Sequence, residues 1–149
     1  MKYYNNLGWA SDVLSQSARG YLVDFFEEHK KYREENYNLR KVWDKRIDYE
    51  DPIQVEMVDR VQLAAETTTR MKLLPCRGGF LCDYVKGSWA QGHTDNIARD
   101  KESLEYHKII PGPLENGDSL MYGGEMYHGV EEVLSGRRLV LITWFKEAL

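Results

Sequence analysis

The run Gly136-Arg137-Arg138-Leu139-Val140-Leu141-Ile142-Thr143-Trp144-Phe145 is the most apolar stretch of the chain, and over Arg138–Phe145 it reads as a central strand. Successive side chains of a strand point to opposite faces. Arg138, Val140, Ile142 and Trp144 therefore share one face, and Arg137, Leu139, Leu141, Thr143 and Phe145 share the other. Upstream, further β-rich runs alternate with Gly, Pro and Asn: Met71–Leu74, Phe80–Val85, Leu104–Ile110, Ser119–Tyr122 and Met126–Val130. The stretches 77–79, 86–88, 111–113 and 115–118 between them carry turn residues. Short strands at this spacing predict an antiparallel sandwich or barrel-like jelly roll.

The front of the chain has a different period. Ala18, Tyr21, Leu22, Phe25 and Phe26 recur at helical spacing, which predicts a helix over about 15–32 with Ser15 as its cap. Lys41–Asp48 alternates partially, as a strand does. Asp51-Pro52 is a cap followed by proline at the first helical position, and it opens a second helix with the apolar face Ile53, Met57, Val58, Val61 and Ala65. That helix ends near Thr67-Thr68-Thr69, where three β-branched residues weaken helix propensity. The expected fold is α+β: one domain over 1–149, with a helical front (about 12–70) packed on one sheet of a jelly-roll core (about 71–146).

The chain has 149 residues, 42% of them apolar and 30% charged, with a formal net charge of −4. One domain with a real core fits that length. The acidic balance argues against a general nucleic-acid binder. No run approaches the roughly 20 apolar residues of a membrane helix, and MKYYNNLGWASD lacks a secretory h-region. A cytoplasmic location is expected, with no membrane partner. Cys76 and Cys82 are then expected to be thiols, since two cysteines make no disulfide framework.

His93-Thr94-Asp95 sets an imidazole and a carboxylate two residues apart, on one face if the segment is a strand. His128 follows 35 positions after His93 in a separate strand-like run. Two imidazoles and one carboxylate on one side of an ion leave its other positions open, as in the facial triad of non-haem Fe(II) oxygenases. The tripeptide alone reads equally as a turn histidine beside a solvated aspartate. Arg138, among apolar neighbours, needs a carboxylate or similar partner if it is buried. A guanidinium fork matches a carboxylate in a bidentate way. The partner is either the distal carboxylate of a diacid that chelates the metal or an internal Asp or Glu at the barrel rim.

Taken together, His93-x-Asp95, the distal His128 and Arg138 ten residues later resemble the prolyl 4-hydroxylase-like branch of the 2-oxoglutarate/Fe(II) dioxygenases, in a compact form like bacterial or phage-encoded members. The run from Gly117 to Val130 looks like that family's segment through the distal histidine, and Gly136-Arg137-Arg138…Trp144-Phe145 like its co-substrate strand and closing Trp. Tyr84, nine residues before His93, matches a co-substrate-binding tyrosine, and Asp12-Val13-Leu14-Ser15 leading to Phe25-Phe26 matches the opening helix. The resemblance implies a double-stranded β-helix, a cupin-like jelly roll. It implies Fe(II) on His93, Asp95 and His128 as the catalytic centre, with 2-oxoglutarate held by Arg138 and Tyr84. It also implies O2 as oxidant, ascorbate as optional reductant, and hydroxylation of an unactivated C–H bond with release of succinate and CO2. A retained carboxylate at Asp95 favours hydroxylation over halogenation.

The expected substrate is a peptidyl proline in a protein or peptide, or else a free amino acid or another small molecule. A non-catalytic metal-binding jelly roll and a cupin-type isomerase are the alternatives. The sequence departs from the family in the short stretch between Asp95 and His128, in Gly92 where proline is frequent, and in Ala90 where an aromatic is common. His107 reads as a rim residue and His29 as the end of the first helix. Trp89 reads equally as lining the substrate mouth or as core packing, Tyr106, Tyr122 and Tyr127 read as lining or filling the pocket, and Glu125 reads as a solvated turn residue.

Overall fold

The computed structural model describes residues 8–29, 34–36, 40–93, 115–123 and 128–148, with backbone alone at 34–36 and 93. In chain order the elements are β1 (Gly8–Ala10), α1 (Gln16–Glu28), β2 (Glu34–Asn36), β3 (Arg40–Arg46), α2 (Pro52–Thr69), β4 (Leu73–Pro75), β5 (Phe80–Tyr84), β6 (Trp89–His93), β7 (Ser119–Met121), β8 (His128–Val130), β9 (Arg138–Ile142) and β10 (Phe145–Glu147). The expected strand over 104–110 lies outside the described residues.

Both helices start where their caps predict. Ser15 Oγ accepts from the Ala18 amide at 3.2 Å, and Asp51 Oδ1 accepts from the Ile53 amide at 2.9 Å. Helix α1 ends earlier than the sequence pattern suggests. His29 caps it by donating its amide to the Phe25 carbonyl, with its ring stacked on Phe25 at 4.3 Å. In α2, Met57, Val58 and Ala65 are buried as expected, but Ile53 is exposed and Gln54 is buried instead. Gln54 Oε1 accepts from the Asp48 amide at 2.8 Å, and its Nε2 lies 3.0 Å from the Tyr21 hydroxyl. A buried amide side chain needs such partners, and tertiary hydrogen bonding here overrides the apolar period.

Strand β5 is central, antiparallel to β3 on one edge and to β9 on the other. The first residues of β3 pair instead with β6, which pairs with β8, while β2 adds to β3. The sheet therefore curls into a half-barrel with the order β8-β6-β3-β5-β9. Leu22 and Phe26 of α1 and Met57 and Val58 of α2 pack with Leu81, Leu139 and Leu141 on its outer face. Val42, Cys82, Tyr84, Ala90, Val130, Val140 and Ile142 pack together on the inner face. This is an α+β jelly-roll, cupin-like architecture with two helices on one sheet, as expected. No described helix is long and apolar enough to cross a membrane.

The expected strand Arg138–Phe145 is broken. β9 ends at Ile142, and Phe145 pairs with Pro75 of β4. Gly79, at φ +115, is wedged against this break. A Cβ there would lie 2.2 Å from the Ile142 carbonyl oxygen, so only glycine fits. The alternation of faces still holds across the break. Phe145 packs with Leu139 and Leu141 on the helix side, while Trp144 meets Phe80 edge-on at 6.2 Å.

Candidate metal and co-substrate site

The site is built on the joint between β5 and β6. The Val85 amide donates to Ser88 Oγ at 3.0 Å, and Ser88 is almost fully buried. Gly87 and Ser88 exchange backbone hydrogen bonds with Val133, both at 2.8 Å, which pins the bend to the chain beyond β8. Past the bend, Ala90 pairs with Val130, but the next matched pair is His93 with His128. In a regular strand, residues three apart face opposite ways. An irregularity between Ala90 and His93 takes up one residue, and it lets position 93 fall opposite His128. Bulges of this kind re-aim a strand next to functional sites. Glycine makes the close approach possible: a Cβ at Gly129 would lie 3.0 Å from both the Ala90 carbonyl oxygen and the Gly92 amide nitrogen.

Register thus makes His93 and His128 cross-strand partners despite their 35-position separation. Directly opposite residues of an antiparallel pair carry Cβ atoms about 4.5–5.5 Å apart, close enough for two side chains to share one ion. The His128 ring is half-buried and lies 4.6 Å from the Tyr122 ring. Asp95 and the side chain of His93 lie outside the described residues, as do Tyr106, His107, Glu125 and Tyr127. Among the described residues no group of three or more His, Cys, Asp and Glu side chains converges. Cys76 and Cys82 are both free thiols, exposed and buried respectively.

Tyr84 and Arg138 are also cross-strand partners, on β5 and β9. Tyr84 is 3% exposed, and burial pushes its hydroxyl above the ordinary tyrosine pKa, so it remains a hydrogen-bond donor through the neutral range. The Arg138 guanidinium lies over this ring, 5.6 Å from its centroid. The condition of burial is not met at Arg138. The residue is exposed at the edge of the inner face, so desolvation alone does not force a partner on it.

The alternative of an internal acid for Arg138 is tested by where the strand carboxylates go. Asp44, buried on the inner face, accepts from Arg40 Nη2. Asp83, fully buried on the outer face, takes a fork from Arg137 at 2.8 and 3.0 Å, while Arg137 Nη1 reaches Glu27 of α1 at 3.0 Å. Among the described residues Arg138 makes no ion pair, and Arg137 is committed to the face away from the candidate site. The sequence reading missed Arg40 and Asp44. Their signal was there: Arg40, Val42, Asp44 and Arg46 alternate onto one face of β3.

No family model matches the sequence, and no curated protein matches it. Among solved structures, a prolyl-4-hydroxylase of Pseudomonas putida matches with a TM-score of 0.65, over 96% of this chain and 93% of that one, at 14% identity. A likeness at that identity is one of fold, and on that footing the chain shares the fold of this bacterial hydroxylase along nearly its whole length.

Proposed function

We propose that this chain is an Fe(II)- and 2-oxoglutarate-dependent dioxygenase that hydroxylates an unactivated C–H bond, with a peptidyl proline as the leading substrate class. The observation that carries this reading is the His93–His128 register, reached only through the one-residue irregularity in β6. With positions 93 and 128 opposite each other on adjacent strands, the two histidines would offer nitrogen donors to one ion, and Asp95, two residues beyond His93, would supply the third donor. Two imidazoles and a carboxylate suit ferrous iron with open positions. Arg138, which makes no ion pair among the described residues, has a donor fork to offer a carboxylate. Tyr84, its cross-strand partner, has a neutral hydroxyl to donate.

When bound, iron and 2-oxoglutarate would let O2 act as the oxidant, with one oxygen atom entering succinate as CO2 is lost and the other inserted into the substrate C–H bond. The protein's residues bind and orient. The imidazoles and Asp95 would hold the ion, and Arg138 and Tyr84 would hold the far end of the diacid. Val42, Val140 and Ile142 give the inner face an apolar floor between its charged side chains.

The test is succinate formation with Fe(II), ascorbate and 2-oxoglutarate, together with mass spectrometry of a peptide panel for the gain of one oxygen. His128→Ala should abolish succinate formation, and Arg138→Ala should raise the 2-oxoglutarate requirement about 10–100-fold. Wild-type turnover in His128→Ala would refute the assignment. Metal binding without any succinate would leave a non-catalytic module.

A further inference from the structure

We propose that Arg40, on the strand that lies across β5 from that of Arg138, is a second anchor for the distal carboxylate of the diacid, with Asp44 holding it in place and moderating its grip. This rests on the dioxygenase reading above. Strands β3 and β9 flank the two edges of β5, and Asp44 is the cross-strand partner of Cys82 as Arg138 is of Tyr84. Neighbouring strands lie about 4.8 Å apart, so β3 and β9 are roughly 10 Å apart, backbone to backbone. Two guanidinium side chains reaching inward from both edges can close on one carboxylate over that span.

Arg40 reaches inward. Its side chain is 23% exposed, it pairs with Asp44 (8% exposed), and its guanidinium carbon lies 5.3 Å from the centre of the Phe80 ring. Cys82 and Tyr84, neighbours on the inner face of β5, each feel the positive charge of both Arg40 and Arg138. That charge opposes the upward push of burial, which takes the Cys82 thiol to about 12. The two cations therefore bear on the same two residues from opposite edges.

The charge balance of the inner face points the same way. On the outer face Arg137 has the carboxylates of Asp83 and Glu27. On the inner face Arg40, Arg46 and Arg138 stand against Asp44 alone among the described residues of β3, β5 and β9. Along the described residues of these three strands the inward-facing charge is positive, in a chain of net charge −4. A guanidinium has five N–H donors, so its bonds to Asp44 and to the Cys82 sulfur leave Arg40 others to offer.

The experiment is calorimetric titration of 2-oxoglutarate into the full chain loaded with Mn(II), with melting temperature as a second readout. Asp44→Asn removes a repelling charge and should tighten binding at least roughly tenfold, the effect of a unit charge within about 12 Å at an effective dielectric near 20. Arg40→Gln should weaken it at least about tenfold, the size of a charge-assisted hydrogen bond. Because Arg40→Gln leaves Asp44 buried and less well compensated, the double variant Arg40→Gln/Asp44→Asn guards against simple misfolding. It should bind about tenfold more weakly than Asp44→Asn alone. Pyruvate, which lacks the distal carboxylate, should bind wild type and double variant alike. If Asp44→Asn leaves the affinity unchanged, or the double variant matches Asp44→Asn, the pair is structural and the inference fails while the dioxygenase reading stands. If the wild-type chain binds no 2-oxoglutarate, both fall.

Discussion

Substituting Gly129 by alanine tests the joint on which the candidate metal site depends. The added methyl would lie 3.0 Å from the Ala90 carbonyl oxygen, 3.0 Å from the Gly92 amide nitrogen and 3.1 Å from Gly92 Cα. All three are backbone atoms of β6, so no flexible side chain can swing aside. β8 and β6 must part by several tenths of an ångström to reach ordinary contact. Overpacking of this kind costs about 1–3 kcal/mol. At a length of 149 residues each kcal/mol lowers the melting temperature by about 4 °C, so a fall of about 4–12 °C is expected. The neighbouring matched pair is His93–His128, and parting the strands there should weaken metal binding about 10–100-fold, as loss of a supporting contact does. Thermal melts with and without Co(II), followed by a Co(II) titration, read both effects. Gly20→Ala in α1 is the control. Nothing lies within 4 Å of the added Cβ, so it should gain about 0.5–1 kcal/mol and leave metal affinity alone. A Gly129→Ala protein with the wild-type melting temperature and wild-type Co(II) affinity would refute the reasoning from strand spacing.

Other perturbations have clear signs. Gly79→Ala drives a Cβ to 2.2 Å from the Ile142 carbonyl at φ +115, and it should cost more than about 3 kcal/mol in denaturant unfolding or leave the protein insoluble. Arg137→Gln strips the fork from the fully buried Asp83 and should cost about 3–5 kcal/mol, whereas Glu27→Gln, touching only the exposed arm, should cost under about 1 kcal/mol. Asp51 is held below its ordinary pKa of 3.8, chiefly by the Tyr21 hydroxyl at 2.6 Å. Its contribution to stability is therefore complete above that value and is lost as acid carries the pH down through the lower folded value. Asp51→Asn should flatten the fall of melting temperature below about pH 4, and an unchanged acid limb would show that other carboxylates dominate.

What the sequence made legible was whatever depends on the period of the backbone. The two faces of Arg138–Ile142 follow from alternation alone, and they sort Leu139 and Leu141 to the helices and Val140 and Ile142 to the inner face. The caps at Ser15 and Asp51 are local chemistry and were equally readable. Three features were not readable, because each is decided by a distant partner. The break after Ile142 is set by Gly79 pressing on it from another turn. The burial of Gln54 over Ile53 is set by Asp48 and Tyr21. The irregularity in β6 is set by the approach of Gly129 from a strand 35 positions on, and it shows only when the strands are paired. Strands β1 and β2 escaped notice because GWA and EEN carry no alternation to read. His93 and His128 were legible as candidates, but their pairing was not.

The late position of β9 in the chain has a consequence during synthesis. Strand β5 is almost wholly buried, yet one of its edges is closed only by β9, whose Arg137 flank meets Asp83 from 54 positions further along. While the chain emerges from the ribosome, both helices and β3 are available well before that edge can be sealed. An uncovered apolar strand edge is a template for unwanted pairing with other chains. Yield in cells should therefore depend on chaperone supply and growth temperature more steeply than the melting point of the finished protein would suggest, and truncation before Arg138 should give inclusion bodies rather than a smaller folded product.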